Sequence, residues 1–324
     1  MPDKQSSRVS PRNTGPRRPC RRIAKSSLLH GRKVEIYDKT LERHTMHFSL
    51  THLAAGVAVA LLMTAANETQ AAGPPLVVAH RGFSYVAPEN TLVAMREGWK
   101  SGAYGVELDV HMTGDGQVIV IHDDTTSRTT GVDLPVSATK TADLQKLDAG
   151  TWKNPKYKGE KLPLLKDVLA EMPEDGHIFI EIKSGPETVQ PVKKIVESGP
   201  WEKRVTIIGF GLTTMADAKK AMPERQVYWL RGADKDKKTG EYIPRGKDII
   251  EPAVANGLDG LDVSWAGITP EFIKEAKAAG LSVHAWTVDY DKEVNRLIEA
   301  GVDSITTNRP DVVLELVNKA TAAE

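Results

Sequence analysis

The stretch GVELDVHMTGDGQVIVIHDD, residues 105–124, reads as two β-strands joined by a tight Gly-Asp-Gly turn. Successive side chains on a strand point to opposite faces, so Glu107 and Asp109 share one face while Val106 and Leu108 share the other. Two carboxylates on one face repel each other unless a cation or water lies between them. The first strand is therefore either a solvent-facing edge strand or part of a polar site.

Outside this hairpin, short apolar strands alternate with amphipathic helices whose apolar residues recur every three to four positions. Alternation of this kind predicts a parallel sheet. Eight such units in about 250 residues fit an α/β fold of the (β/α)8 TIM barrel type, and a doubly wound open sheet is the alternative. The predicted parallel strands are LVVAHRG at 76–82, GVELDV at 105–110, HIFIEIK at 177–183, VTIIGFG at 205–211, QVYWLRG at 226–232, GLDV at 260–263, SVHAWTV at 282–288 and SITTNRP at 304–310.

Residues 124–161 interrupt this alternation. Thr, Lys, Pro and Gly are scattered through them, and they contain a single short helical pattern around 142–147. We therefore predict a small insertion after the second strand, lying over the barrel mouth. The barrel, with this insertion, is expected to extend from residue 73 to residue 324.

The polar residues of these strands fall at the C-terminal ends, where (β/α)8 barrels carry their chemistry. Glu181 and Lys183 repeat the i,i+2 spacing of Glu107 and Asp109, so each pair faces the barrel interior. Residues 88–91, PENT, are either an ordinary helix start or part of the same site. The candidate site residues are His80 and Arg81 after the first strand, Glu107 and Asp109 in the second, His122 in the hairpin strand, Glu181 and Lys183 in the next, and Trp286 late in the seventh parallel strand.

Three carboxylates at one barrel mouth, from Glu107, Asp109 and Glu181, make an all-oxygen site that suits a hard divalent cation such as Mg²⁺ or Ca²⁺. The histidines His80 and His122 leave two alternatives open. They would either join the carboxylates as zinc ligands or serve as general base and general acid, because imidazole titrates near neutral pH. Arg81 and Lys183 supply the positive charge that a phosphate group needs.

These segments, in this order and at this spacing, resemble the glycerophosphodiester phosphodiesterase family. The similarity covers residues 76–318, and the combination of its short motifs is far more specific than any one of them. The segments that carry it are AHRGFSYVAPENTLVAM at 79–95, GVELDVHMTGDGQVIVIHDD at 105–124, HIFIEIK at 177–183, VHAWTVD at 283–289 and AGVDSITTNRP at 300–310.

The resemblance implies a (β/α)8 barrel that hydrolyses glycerophosphodiesters to glycerol 3-phosphate and an alcohol, with a divalent cation as cofactor. By position, Glu107, Asp109 and Glu181 match the family's metal ligands. The acid and base of the family correspond to His80 and His122. Its phosphate contacts correspond to Arg81 and Lys183, and Trp286 is expected to stack on the glycerol end of the substrate.

Two other functions remain open on the sequence. A phospholipase D-like or phospholipase C-like enzyme acting on lysophospholipids would need an apolar rim, and the insertion contains no apolar run. A non-catalytic protein that binds glycerophosphodiesters would not need an acid/base pair. The sequence leaves the oligomeric state and the alcohol of the substrate open.

Charge is distributed unevenly along a chain whose formal net charge is zero. Residues 1–45 contain twelve Lys and Arg against four Asp and Glu, a formal charge of +8, so the remainder carries −8. A body with this surplus of acids does not favour nucleic-acid binding, which needs a basic face. Residues 1–45 are expected to be a basic extension that is either untranslated or disordered, depending on whether Met1 or Met46 is the start.

Residues 46–72 are predicted to be a signal peptide. The apolar run from Leu53 to Ala66 has the length of a signal-peptide core and is followed by the small residues Ala71 and Ala72. The run is short for a membrane-spanning helix, so no stable membrane insertion of the mature chain is expected. The sequence therefore predicts an exported protein, periplasmic or secreted.

Overall fold

A computed structural model describes residues 73–201 and 203–322. The predicted basic extension at 1–45 and signal peptide at 46–72 lie outside the described residues. The strands are β1 (Leu76–Ala79), β2 (Gly105–Met112), β3 (Val118–Val120), β4 (Ile178–Ile182), β5 (Val205–Gly209), β6 (Gln226–Arg231), β7 (Gly260–Ser264), β8 (Ser282–Trp286) and β9 (Ser304–Thr307). The longer helices are α1 (Leu92–Lys100), α2 (Leu165–Ala170), α3 (Val189–Val196), α4 (Leu212–Ala221), α5 (Lys247–Ala255), α6 (Pro270–Ala278), α7 (Asp291–Ala300) and α8 (Pro310–Ala322).

Eight of the strands form a closed parallel barrel in the order β1, β2, β4, β5, β6, β7, β8, β9. Strand β9 pairs with β1, and β1 pairs with β2 through Val78 opposite Gly105 and Ala79 opposite Val106. The antiparallel strand β3 pairs with β2, and the two form the hairpin predicted within residues 105–124. The predicted (β/α)8 barrel is confirmed. The open-sheet alternative is wrong, because β1 has a hydrogen-bonded neighbour on both sides.

The alternation within β2 decides which residues enter the barrel. Val106, Leu108 and Val110 face outward into the main apolar core, and each is fully buried. Glu107 and Asp109 face inward. A second apolar cluster fills the barrel interior, and its members are Val78, Phe179, Ile208, Tyr228 and Leu230.

The insertion after β2 and β3 builds a small core of its own. Its helical turns, Ser127–Thr130 and Thr141–Leu144, flank an apolar cluster that also takes residues from the hairpin. That cluster comprises Ile119, Ile121, Val136, Leu144, Ala149, Leu162 and Leu164. Lys153 Nζ donates a hydrogen bond of 2.7 Å to Ser84 O, so the insertion is joined to the loop after β1 at the barrel mouth.

No helix among the described residues is long and apolar enough to cross a membrane.

Candidate active site

The three predicted carboxylates converge at the C-terminal end of the barrel. Glu107 and Asp109 lie on β2, and Glu181 lies on β4 directly opposite Asp109 in the parallel register. One oxygen from each carboxylate lies within 4.8 Å of the others, and all three residues are buried. The i,i+2 spacing read from the sequence therefore produces the cluster that it predicts.

Neighbouring backbone and amide groups fix the orientation of the carboxylates on β2. Arg81 N donates to Glu107 Oε2 at 2.9 Å. Asn90 Nδ2 donates to Asp109 Oδ2 at 2.8 Å, while Asn90 Oδ1 accepts from Asp109 N at 3.2 Å. The PENT segment is thus both part of the site and a helix start, since Thr91 accepts the N-cap hydrogen bond of α1.

Gly82 allows the HRG loop to lie this close to α1. Its φ is +76°, and a Cβ on this residue would lie 2.4 Å from Ala94 C. Only glycine combines that backbone conformation with that approach at low energy. The loop therefore holds His80 and Arg81 against the barrel mouth.

The positive side chains of Arg81 and Lys183 offset part of the negative charge of these carboxylates. Arg81 Nε lies 3.3 Å from Asp109 Oδ2, and Arg81 Nη1 lies 2.8 Å from Glu89 Oε1. Lys183 Nζ lies 2.8 Å from Glu181 Oε1 and 3.6 Å from Asp109 Oδ1. Both cations border the cavity, so they can contact a bound anion as well as the carboxylates.

The pKa values of the three carboxylates separate according to their neighbours. Burial, followed by the charge of Asp109, raises the pKa of Glu107 well above its usual value and that of Glu181 to about 7. Burial also acts on Asp109, but Arg81 and Lys183 outweigh it and lower the pKa of this carboxyl. The cluster is thus short of positive charge at its Glu107 and Glu181 positions.

The residues present fit a hard divalent cation. Asp109 Oδ1 is buried and has no hydrogen-bond partner among the described residues. A buried carboxylate oxygen without a partner is unfavourable, and a cation would satisfy it. Neither histidine nitrogen joins the group of candidate ligand atoms, so the all-oxygen site is favoured over the zinc alternative.

His80 is held by a chain of hydrogen bonds that defines its tautomer. Asp289 Oδ2 accepts from Asn308 Nδ2 at 2.6 Å, which leaves Asn308 Oδ1 to accept from His80 Nδ1 at 2.7 Å. Its Nε2 then carries the lone pair and lies 3.9 Å from Glu107 Oε2. Burial and the charge of Arg81 lower the pKa of His80 to about 4, so the ring is neutral at neutral pH.

The ring of His122 lies between Asp123 and Lys183. Its Nδ1 lies 2.7 Å from Asp123 Oδ1, and its Nε2 lies 3.1 Å from Lys183 Nζ. Arg128 forms hydrogen bonds with Asp123 and, with the His122 contact, lowers the pKa of that carboxyl to about 2. An ionised Asp123 accepts from Nδ1 and so orients the ring of His122.

A cavity of about 120 Å³ lies between the charged groups of the site. Its lining includes His80, Arg81, Glu107, His122, Glu181 and Lys183. Trp286 lines it, and its ring is nearly perpendicular to that of Phe210, with 5.6 Å between centroids. Asp262, on β7, also lines the cavity, and the sequence did not single it out. The cavity thus has a charged half on β1 to β4 and a largely apolar half on β5 to β8.

The barrel mouth brings together carboxylates arranged to hold a cation, positive side chains arranged to hold an anion, and two histidines. Such a set of groups suits the hydrolysis of phosphate esters. The fold and the site together define a phosphoric ester hydrolase of the (β/α)8 barrel class. The chain belongs to the glycerophosphoryl diester phosphodiesterase family, whose model matches residues 80–312. This membership sets aside the non-catalytic binding protein considered from the sequence.

Individual relatives agree with this assignment. A glycerophosphodiester phosphodiesterase from Caldanaerobacter subterraneus subsp. tengcongensis is 34% identical over 252 residues, which cover 75% of this chain and 98% of that protein. One from Bacillus subtilis is 31% identical, with coverage of 73% and 84%. Among solved structures, an Oleispira antarctica phosphodiesterase in complex with the product sn-glycerol-3-phosphate superposes with a TM-score of 0.68 at 26% identity, covering 75% of this chain and 97% of that one.

Proposed function

We propose that this enzyme hydrolyses glycerophosphodiesters to glycerol 3-phosphate and an alcohol with a divalent cation, Mg²⁺ or Ca²⁺, and with His80 and His122 as its acid/base pair. The observation that carries the proposal is the convergence of three buried carboxylates, one oxygen of which, Asp109 Oδ1, has no hydrogen-bond partner among the described residues. The glycerol 3-phosphate in the Oleispira antarctica complex supports the same substrate class.

Glu107, Asp109 and Glu181 would hold the cation. When bound, such a cation polarises a phosphoryl oxygen and lowers the pKa of a hydroxyl group next to it. Arg81 and Lys183 would bind the remaining phosphoryl oxygens, Arg81 through its planar fork and Lys183 as a point charge.

The two histidines divide the proton transfers. His80 is neutral, and its Nε2 lone pair faces the site, so it can remove a proton from the entering oxygen. His122, whose ring Asp123 holds at 2.7 Å, would donate a proton to the leaving alcohol. In a second step the two roles would be exchanged: His122 would remove a proton from the entering oxygen, and His80 would donate its proton to the departing one.

Removal of divalent ions should abolish turnover of glycerophosphocholine, because no cation would then polarise the phosphoryl oxygen or lower the pKa of the entering hydroxyl group. The measurement is the release of choline with and without EDTA, followed by restoration with Mg²⁺ or Ca²⁺. Bis(p-nitrophenyl) phosphate, assayed in parallel, tests the phosphodiester chemistry without the glycerol group. Full activity after exhaustive chelation would contradict the proposed cofactor.

A lysophospholipid substrate is the second candidate, and one observation favours it. Exposed apolar side chains occupy loops at the C-terminal ends of the strands, which supply the rim that the sequence did not reveal. These side chains are Tyr85, Val86, Phe210, Tyr242, Ile243 and Tyr290. Higher kcat/KM for lysophosphatidylcholine than for glycerophosphocholine would favour this candidate.

The entering oxygen is proposed to be the glycerol 2-hydroxyl, which would form a cyclic phosphate that water then opens. An intramolecular nucleophile gains a large effective concentration over water. We expect an analogue with the 2-hydroxyl replaced by hydrogen to bind competitively but to be hydrolysed at least about a hundredfold more slowly than glycerophosphocholine. Turnover of the deoxy analogue at a similar rate would instead make water the direct nucleophile.

We further propose that the chain is exported and that its mature form begins close to Gly73, because Ala71 and Ala72 follow the apolar core at a distance that suits signal peptidase. Intact-mass measurement on periplasmic or secreted protein would give this N-terminus. A mature chain that begins within residues 1–45 would contradict the proposal.

A further inference from the structure

A carboxyl group outside the acidic cluster lines the cavity from across the barrel. Asp262 lies on β7, four strands around the barrel from β2 and its acidic residues. It is 3% exposed and lines the cavity. Its Oδ1 is buried without a hydrogen-bond partner in the described part of the chain. The mechanism proposed above gives Asp262 no role.

The neighbours of Asp262 include both the buried His284, its partner on β8, and apolar side chains. Ile208 and Leu230 line the same half of the cavity. Trp286 Nε1 donates a hydrogen bond of 3.0 Å to the backbone oxygen of Asp262, so the indole is fixed beside this residue. A small ligand group with apolar carbon atoms and a single hydroxyl would match this half of the cavity.

The protonation of Asp262 suits the recognition of a neutral group. Burial, and then the charge of Glu181, raises the pKa of Asp262 to about 8. A neutral carboxyl group both donates and accepts hydrogen bonds, as a substrate hydroxyl does. The site therefore offers a partner to a hydroxyl without adding a charge that would repel the phosphate.

The glycerol group of the proposed substrate leaves one hydroxyl without a partner. Arg81 and Lys183 are assigned to the phosphate, and the 2-hydroxyl is assigned to the side of the carboxylate cluster. The terminal hydroxyl must then lie in the rest of a cavity of only about 120 Å³. Asp262 is the carboxyl group that this half of the cavity provides.

Building on the proposed function, we propose that Asp262 is a specificity-determining residue whose side chain hydrogen-bonds the terminal hydroxyl of the glycerol group, which packs on Trp286. Asp262 would thereby select glycerol esters over esters of diols that lack this hydroxyl. Sites built to hydrogen-bond a substrate hydroxyl discriminate strongly against analogues without it, because the protein group is then left unpaired.

The test compares two substrates on the wild-type enzyme and on Asp262→Ala. The substrates are glycerophosphocholine and 2-hydroxypropyl phosphocholine, which lacks only the terminal hydroxyl. We expect the wild type to prefer the first by at least about tenfold in kcat/KM, and Asp262→Ala to reduce that preference to about twofold or less. Asp262→Asn, which still donates and accepts, should retain most of the preference.

Thr206→Val is the matched control. Thr206 is also buried on a barrel strand, but it contacts His177 at 2.9 Å and does not line the cavity, so the preference should persist. If Asp262→Ala does not fold, Asp262→Leu replaces the carboxyl with apolar atoms and tests the same loss. An equal loss on both substrates in these variants would overturn the inference, as would a wild type without preference. Failure of the wild type to hydrolyse either substrate would instead overturn the proposed function, and this inference with it.

Discussion

Glu107→Gln, Asp109→Asn and Glu181→Gln are each expected to lower kcat for glycerophosphocholine by at least about three orders of magnitude. Each substitution replaces a charged oxygen ligand with a neutral amide of the same shape. The remaining carboxylates would hold a divalent cation more weakly and in a less defined position. The measurement is kcat at saturating Mg²⁺ or Ca²⁺.

Stability measurements separate loss of the cation from loss of the fold. Asp109 pairs with Arg81 at 3.3 Å, so Asp109→Asn should lower the free energy of unfolding. The pKa values of Glu107 and Glu181 are raised by burial and by Asp109, so their neutral variants should be at least as stable as the cation-free wild type. We expect the cation to raise the unfolding temperature of the wild type and all three variants to lose this rise.

Glu97→Gln is the control for these variants, because it neutralises a carboxylate on α1 whose side chain is 39% exposed. It should keep both the activity and the cation-induced rise in unfolding temperature. Near-normal turnover of any cluster variant at saturating cation would remove that residue from the proposed ligand set.

The sequence predicts the barrel and most of the site because both depend on local patterns. The alternation of Glu107 and Asp109 with apolar residues places them inside any sheet whose outer face packs on helices. The carboxyl ends of parallel strands meet at one mouth, so Glu181 had to join them once the barrel was inferred. His80 and Lys183 follow from the same rule, although each lies just after its strand.

The residues that orient the site carry no comparable local signal. Asn90 stands in an ordinary helix-start motif, and only the fold places its amide against Asp109. Arg128 belongs to the insertion, yet it links Glu89 with Asp123 behind His122. Both contacts depend on loop conformations that spacing along the chain does not determine.

Asp262 has no distinctive sequence signal, for a different reason. A single aspartate in the short strand GLDV is as typical of a strand end or an edge as of a cavity. Its inward direction follows from the register of β7 between β6 and β8, where it pairs with Leu230 and His284. Only the closed barrel shows that this direction leads into the same cavity as the acidic cluster.

His80→Ala and His122→Ala are expected to lower kcat for glycerophosphocholine by about two to four orders of magnitude, as loss of a positioned proton-transfer group does. We propose His80 as the base of the first step, because Asn308 accepts from its Nδ1 and so leaves Nε2 unprotonated. We propose His122 as the corresponding acid, with Asp123 holding its ring through Nδ1. Steady-state kinetics on both variants measure the loss.

The choice of leaving group distinguishes the two roles. Glycerol p-nitrophenyl phosphate keeps the 2-hydroxyl and releases p-nitrophenolate, which leaves without protonation, whereas choline must be protonated as it departs. His122→Ala should therefore lose far less activity on the nitrophenyl ester than on glycerophosphocholine, while His80→Ala should lose a similar factor on both. The reverse pattern would exchange the two assignments. A change confined to KM would mean that the histidine concerned binds the phosphate and transfers no proton, because proton transfer acts on the transition state and must appear in kcat.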